Sequence, residues 1–469
     1  MTVGVPAAGR TSRIRVLHVQ KVTGSIAGSE RHLLQLLPAL AERGIEAKML
    51  VLGSGRFEPF VNAMRQRGIE VSSLPAGRDA NPLLVWRLLK EIERWSPHIV
   101  HTHLIHADFY GQIAARPRGV TGVSSLHGTH PFYRNEPGRS VARLAGHLAA
   151  RTIAISRYAG DFACEVGIAP PQRVRVVHYG VDPSSWLDTK EDRAEQRRAL
   201  CLDPDEIAVG VASRLVPGKG HDVAIRAFAA VAERLPRTRL LVAGDGPLRA
   251  EVEEMARRNL PAGQVSILGF VDDIRGFFSA CDLVLFPSLP SFGEGFGLAA
   301  LEAMAAGVPV VASDSGPLPE VVSDGESGLV VAAGDDQAWA EAIFALASDG
   351  SLRHRLGNEA RARVCREFSV DQMADRTVDV YREVVTERGT PVIASRVRAS
   401  PASRAAARHD EVKRRRSRPA SHSVRRFVRQ LLNGEPATPR VHRASRQAKM
   451  YEGSDMPESE VGVTDRTVQ

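Results

Sequence analysis

The stretch SFGEGFGLAALEAMAAG, residues 291–307, decides how the rest of this chain is read. Glycines at 293, 295 and 297 crowd its entrance, an Ala- and Leu-rich run follows, and Gly307 closes it. Ala and Leu are strong helix formers and Gly ends helices readily, so LAALEAMAAG predicts a helix stopped at Gly307. Just before it, DLVLFPS (282–288) is a short apolar run that predicts a buried strand. Strand, glycine-rich turn and helix in that order put free helix amides at the carboxyl end of a strand, where open α/β sheets bind ligands. Glycines let the backbone pass close to a phosphate. Glu294, on the turn, can then reach a group beyond that phosphate, and Glu302, inside the helix, can hold vicinal hydroxyls such as a ribose.

The same unit recurs on both sides. EIAVGVAS (206–213), TRLLVAGDG (238–246), QVSILG (264–269) and VPVVAS (308–313) predict further strands with helices between them. Upstream, RIRVLHVQ (13–20), AKMLVLG (47–53), HIVHTH (98–103), TGVSSLH (121–127), RTIAIS (151–156) and VRVVHYG (174–180) alternate with helical patterns such as ERHLLQLLPALAERG (30–44) and PLLVWRLLKEIERW (82–95). Two parallel, doubly wound α/β units follow, joined by the charged, Pro-containing connector 181–206. The helix DQMADRTVDVYREVV (371–385) lies just before a basic tail.

Composition limits the function classes. A chain of 469 residues with 43% hydrophobic residues has room for two domains. It contains no apolar run of spanning length and no signal-peptide core, which predicts a cytoplasmic protein. Cys164, Cys201, Cys281 and Cys365 form no CxxC pair and are expected to be buried small hydrophobes rather than zinc ligands or a disulfide framework. The net charge of +8 resembles a nucleic-acid signal until it is localised: residues 391–469 hold 17 Lys/Arg against 8 Asp/Glu, leaving 45 basic and 46 acidic residues before them. That tail is rich in Arg, Ser, Ala and Pro and is expected to be disordered, with no specific nucleic acid as partner.

One tail segment stands apart. In SVRRFVRQLL (423–432), Val424, Phe427, Val428, Leu431 and Leu432 form a helical apolar stripe flanked by Arg425, Arg426 and Arg429. The sharper reading is a peripheral anchor on anionic membrane at the inner face of the plasma membrane, aided by KRRRSR (413–418). The blander one is a segment that docks on its own catalytic domain or stays unfolded. Liposome flotation of the full chain and of a version ending near residue 390 decides: equal binding to anionic vesicles removes the anchor.

The remaining strand-to-helix turns carry charge and glycine. Gly28 and Ser29 in IAGSERHLLQL (26–36) open a helix whose free amides could face an anion or let a substrate approach closely. ASRLVPGKG (212–220) offers Arg214 and Lys219 across a Pro-Gly turn, one rigid fork and one flexible ammonium suited to a diphosphate. VAGDGPLR (242–249) brings Gly244 and Gly246, and LGFVDDI (268–274) brings Phe270.

Taken together these segments resemble a family. EGFGLAALE, with seven residues between its glutamates, then AMAAGVPVVASDSGPLPEVVSDGESGLVV (303–331), SRLVPGKG, VAGDGPLR, LGFVDD, HYGVD (178–182) and SSLHGTH (124–130) are similar to the retaining family 4 glycosyltransferases of the GT-B fold. The resemblance spans about residues 13 to 388 and implies two Rossmann-like, doubly wound domains facing a central cleft: 13–185 on the acceptor side, 186–369 for the nucleotide-sugar, and a helix at 370–388 returning to the first domain. It implies that Arg214 and Lys219 clamp the donor diphosphate and Glu294 contacts the donor sugar. Glu302 would hold the ribose, with Gly244, Gly246, Phe270, Phe296, Gly297 and Leu298 around the donor and main-chain amides of Phe296 and Gly297 cradling the phosphate. His127 would face the reacting sugar across the cleft. His101 and His103 are read as strand-end polar residues and left outside the catalytic set. This chain has Ala27-Gly28 where the family commonly shows two glycines, and the turn before Glu294 (SLPSFGE, 288–294) carries extra residues.

The implied reaction is sugar transfer from a nucleotide-diphosphate donor to a carbohydrate or lipid-linked acceptor, in polysaccharide or glycolipid synthesis. It retains the anomeric configuration and uses no metal or other cofactor, since fixed cations and helix dipoles stabilise the leaving diphosphate. A sugar-nucleotide epimerase of the same fold and a catalytically retired binding protein are the alternatives; the intact Arg, Lys and both Glu side chains argue against the latter.

Overall fold

The computed structural model describes residues 13–387, except 23, 25, 54–56, 77–80, 130 and 187–189. The tail readings at 391–469 lie outside the described residues. The first domain is a seven-stranded parallel sheet of β1 (Arg15–Lys21), β2 (Glu46–Leu52), β3 (Glu70–Leu74), β4 (Ile99–His103), β5 (Thr121–Leu126), β6 (Arg151–Ala154) and β7 (Val174–Val176), in the order β3-β2-β1-β4-β5-β6-β7. The second has six strands, β8 (Ile207–Ala212), β9 (Thr238–Ala243), β10 (Val265–Gly269), β11 (Leu283–Phe286), β12 (Val310–Ser313) and β13 (Gly328–Val331), ordered β10-β9-β8-β11-β12-β13. Strand order reverses between β1 and β4 and again between β8 and β11, so the turns that leave these strands line a crevice in each domain.

The two expected doubly wound units are present, with one more strand in each. β3 (EVSSL) escapes the sequence because it is a polar, half-exposed edge strand without clean alternation. β13 (GLVV) is only four residues long and begins with glycine. The connector is partly ordered too: a helix at Lys190–Ala199 is clasped to the second domain through buried Arg197, which donates to the carbonyl of Ala280 at 3.0 Å and to Asp282 Oδ2 at 3.1 Å. The expectation of four buried cysteines holds only for Cys281; Cys164 is half-buried, while Cys201 and Cys365 are exposed. Cys201 sits in a left-handed turn (φ 54°) after that helix, and Cys365 near the end of the long helix Gly350–Glu367.

The core is layered as the strand sequences dictate. On one face of the first sheet Val16, Ile99 and Val123 pack with Leu33, Leu37 and Leu40 of the helix Gly28–Glu42. The same face receives Met373, Ala374, Val378 and Tyr381 of the closing helix, Val370–Glu387. Ion pairs hold that helix at both ends: Arg43 to Asp371 (2.9 Å) and Asp375 (2.6 Å), and Arg151 and Arg175 to Glu383. The helix Val370–Glu387 thus carries the chain from the second domain back onto the first. No helix among the described residues is long and apolar enough to cross a membrane.

Candidate active site

The donor loop explains its own sequence. The helix runs Leu298–Ala305, and Gly307 (φ 77°) ends it, with the amides of Gly307 and Val308 returning to the carbonyls of Met304 and Ala303 at 3.0 and 3.1 Å. Gly297 (φ 92°) stands at its N-cap, so no side chain covers the first amides. The extra residues before Glu294 form a short 3₁₀ turn, Pro290–Phe292, that seats the Phe292 ring 4.0 Å from Lys219 Nζ. Lys219 Nζ in turn donates to Glu294 Oε2 at 2.6 Å, and the Ser288 hydroxyl reaches the same oxygen at 3.2 Å. The pair belongs to one constellation, Lys219 from the turn after β8 and Glu294 from the turn after β11. Arg214, three residues past Val211 of β8, is exposed and its side chain makes no hydrogen bond or ion pair among the described residues.

The turn bearing Arg214 and Lys219 is braced from below. Gly244 and Gly246 do this by packing: a Cβ on either would come within 1.9 Å of the Ser213 carbonyl or 2.4 Å of the Leu215 carbonyl. Leu215 N donates to the Asp245 carbonyl at 2.9 Å, and Leu289 N to the Gly218 carbonyl at 2.7 Å. The two glycines are therefore required by the protein's own backbone, whatever ligand lies above. A Cβ at Gly28 meets nothing within 4 Å, so packing does not require that glycine. Phe270, after β10, is 71% exposed at the rim, and Leu298 is half-buried at the first helical position. The Phe296 ring is buried at the domain junction, against His178, Tyr179 and Phe368, which leaves only its main chain for a ligand.

Glu302 is 4% exposed, and its one charged partner is Arg31 Nη1, 3.5 Å away on the first domain's helix. Burial pushes its carboxyl up to about 7, with Arg31 pulling the other way. Beside Arg31, the helix start is organised by Glu30, whose Oε2 accepts from Ala27 N at 3.1 Å and from the Ser29 hydroxyl at 3.0 Å while Oε1 accepts from Gln20 at 2.6 Å. Ser29 is committed to this network; Gly28 is exposed beside it.

His127 faces the donor loop from β5's carboxyl end. A Cβ on Gly295 would lie 2.5 Å from the His127 carbonyl, and the Ser156 hydroxyl donates to the Gly295 carbonyl at 3.3 Å, so the two domains touch at the cleft floor. Burial lowers the His127 imidazole to about 3. Both its ring nitrogens are engaged, Nδ1 with the Tyr179 hydroxyl and Nε2 with His103 Nδ1 at 3.0 Å. His101 and His103, read as strand-end polar residues, are instead fully buried, and with His18 they bring donor nitrogens within 4.8 Å of one another. That spacing would suit a metal, yet His101 already has Nδ1 on Tyr381 (2.6 Å) and Nε2 on Ser125 (2.8 Å), and no carboxylate joins the group among the described residues.

With this geometry in view, the comparisons with known proteins identify the family. The family described as "Glycosyl transferases group 1" matches residues 192–363, and "Glycosyltransferase Family 4" matches 26–185. A D-inositol 3-phosphate glycosyltransferase of Rhodococcus erythropolis is 31% identical over 415 residues, covering 80% of this chain and 92% of that protein. The chain belongs to the family 4, group 1 glycosyltransferases. A namesake from Actinosynnema mirum is 30% identical over 423 residues, covering 80% of the glycosyltransferase described here and 99% of that protein. Among solved structures, Anabaena HepE in complex with UDP superposes with a TM-score of 0.70 at 23% identity, over 79% of this glycosyltransferase and all of that chain. Sucrose-phosphate synthase of Thermosynechococcus elongatus gives 0.67 at 22%, over 80% and all of that chain. These likenesses show the fold: two facing doubly wound domains, GT-B.

Two residues that join the domains of the glycosyltransferase are missed by sequence reasoning. Glu320 of the second domain accepts from the amides of Arg157 and Tyr158, at 2.8 and 2.7 Å, and from His178 at 3.1 Å, capping a first-domain helix across the cleft. Burial pushes its carboxyl up, but these bonds outweigh it and hold the group below its ordinary value. Its only sequence signal is its place in PLPEVV, which carries no spacing clue to a partner 163 residues away. Arg31 likewise announces nothing until the domains face each other.

Proposed function

We propose that this glycosyltransferase moves a hexosyl group from a nucleoside-diphosphate sugar to a hydroxyl of a carbohydrate or lipid-linked acceptor, with retention and without a metal, in envelope polysaccharide or glycolipid synthesis. The observation that carries it is the constellation at the crevice: exposed Arg214, Lys219 bound to Glu294 at 2.6 Å, and the uncapped start of the helix at Leu298, all at strand ends of the second domain. As the donor's glycosidic bond breaks, negative charge grows on the diphosphate and positive charge on the sugar. Two cations and a helix N-terminus favour the first, and the carboxylate of Glu294 favours the second. Glu294 is held by Lys219 and Ser288 and acts as a positioned anion rather than a nucleophile, the leaving phosphate taking the acceptor's proton on the same face.

The HepE structures contain UDP, UDP-glucose, or UDP and glucose, which makes UDP-sugars the first donors to test, and the relatives' names place D-inositol 3-phosphate in the first acceptor panel. A thermal-shift screen of UDP-, GDP- and ADP-sugars should raise the melting temperature with the true donor by mass action. Transfer should survive EDTA, and the product should keep the donor's anomeric configuration by NMR. Strict dependence on Mg²⁺ or Mn²⁺, or an inverted anomer, refutes this mechanism. Sugar isomerisation without an acceptor would mark an epimerase, and donor binding with no turnover a retired binder.

A further inference from the structure

Behind His127 runs a single file of hydrogen-bonded side chains with one repeating geometry. From the cleft inward it reads Tyr179 hydroxyl to His127 Nδ1; His127 Nε2 to His103 Nδ1, 3.0 Å; His103 Nε2 to His18 Nδ1, 3.0 Å; His18 Nε2 to the Tyr381 hydroxyl, 3.4 Å. It continues from that hydroxyl to His101 Nδ1, 2.6 Å, and from His101 Nε2 to the Ser125 hydroxyl, 2.8 Å. The strand register assembles it: His18 lies beside His101 and Gln20 beside His103 on β1 and β4, and His103 beside Ser125 on β4 and β5. These positions continue the face that begins with Val16, Ile99 and Val123, so a layer that would ordinarily be apolar is built from imidazoles.

Every ring in this file uses Nδ1 on the cleft side and Nε2 on the inner side, and a neutral imidazole donates from one nitrogen and accepts at the other. Along the run Tyr179–His127–His103–His18 only two proton arrangements therefore satisfy all the bonds: every ring protonated at Nε2, with Tyr179 donating inward, or every ring protonated at Nδ1, with the Tyr381 hydroxyl donating to His18. A mixture among these three rings sets two N–H groups, or two lone pairs, against each other in a buried layer where an unmade hydrogen bond is costly, whereas the Tyr381 hydroxyl, which can accept twice, lets His101 take either tautomer when His18 donates to it. Burial drives all four imidazoles far toward the neutral form, so the file is neutral.

We propose that His103, His18, Tyr381 and His101 are positioning residues for sugar transfer, giving His127 one ring orientation and one tautomer at the cleft and tying both to the closing helix. The proposal rests on the transferase reading and deepens it. With both nitrogens occupied, His127 is no acid or base; it offers a fixed neutral ring and main chain beside the sugar. An imidazolium there would repel the oxocarbenium-like transition state, and a loose ring would let the donor loop, packed on the His127 carbonyl through Gly295, shift with it. Tyr381 explains why a helix arriving from the second domain matters to the chemistry of the first: it is fully buried, and its hydroxyl joins His18 to His101.

The test uses the full-length protein. In uniformly ¹⁵N-labelled, substrate-free wild type, long-range ¹H–¹⁵N correlation spectra should show His127, His103 and His18 in the same tautomer; mixed tautomers among these three overturn the proposal. His103→Leu should leave His127 averaging between tautomers and lower kcat by about 10–100-fold, the usual cost of removing a partner that orients an imidazole. Donor Kd should stay within about threefold, because ground-state binding is not what the file supports. His103→Asn, whose amide can sit where Nδ1 was, should recover most of that loss, whereas equal losses in the two variants, or wild-type kcat in His103→Leu, overturn the role. If His103→Leu does not fold, Tyr381→Phe takes its place: it removes only the hydroxyl and should uncouple His18 from His101, and an unchanged tautomer spectrum there counts against the file. Should the wild type transfer no sugar at all, the transferase reading fails, while the spectra still decide whether the file exists.

Discussion

Lys219→Ala should lower kcat/KM roughly 30- to 1,000-fold, about 2–4 kcal/mol, when transfer is measured with the donor that the thermal-shift screen selects. Two effects add. The ammonium lost is one of the two side-chain cations proposed to face the diphosphate, and it would matter more as the leaving group gains charge. Its removal also strands Glu294, which is only 16% exposed and keeps the Ser288 hydroxyl as its remaining side-chain partner. An unpaired carboxylate next to a diphosphate opposes donor binding as well as departure, so KM should rise along with the fall in kcat. Arg214→Ala removes a similar charge from an exposed position and strands nothing, which predicts a loss at the lower end of the same range. Adding Glu294→Gln to Lys219→Ala should cost less than the sum of the single losses, because the two side chains share one contact. Near-wild-type turnover in both single variants would remove the assignment of this site.

The parts of the site that the sequence discloses are those whose chemistry is local. Arg214, Lys219 and Glu294 sit in turns after strands and Glu302 lies inside the helix that follows one of them, and a glycine turn, a strand and a helix are all legible within about twenty residues. What depends on the two domains meeting is not legible. Arg31 reaches Glu302 across 271 positions and Tyr381 reaches His18 across 363, and no periodicity in either segment announces a partner. His101 and His103 read as strand-end polar residues in HIVHTH, whereas the register of β1, β4 and β5 turns them inward onto a face covered by the helix Val370–Glu387. Gly244 and Gly246, which the family resemblance places around the donor, also have a packing role that the sequence does not show: a Cβ on either would meet the carbonyl of Ser213 or Leu215. A glycine records that something comes close without recording what.

Glu302→Gln should make the protein more stable and a worse enzyme. In the folded chain burial raises the Glu302 carboxyl to about 7, above its ordinary 4.5. The protonated form is thus the one the fold prefers: its contribution is complete below the ordinary value and is lost as pH rises from there through about 7. At pH 8 the ionised group has cost roughly 3 kcal/mol relative to a neutral isostere, even with Arg31 at 3.5 Å. Glutamine keeps the shape and removes the charge, so the ligand-free variant should melt above wild type at pH 8, by about 5–10 °C for a domain of this size, with the gap closing toward pH 5. A buried charge kept at that cost needs a use, and two vicinal ribose hydroxyls donating to one carboxylate supply it; an amide offers a single, uncharged acceptor. Donor Kd should therefore weaken about tenfold or more in the variant. Wild-type donor affinity should improve as pH rises through 7, where Glu302 ionises, and the variant should lose that dependence. Melting curves at both pH values, with and without donor, read all of this in one experiment. An unchanged melting temperature at pH 8 would show that the carboxylate is not strained, and an unchanged donor-induced shift would take the ribose away from it.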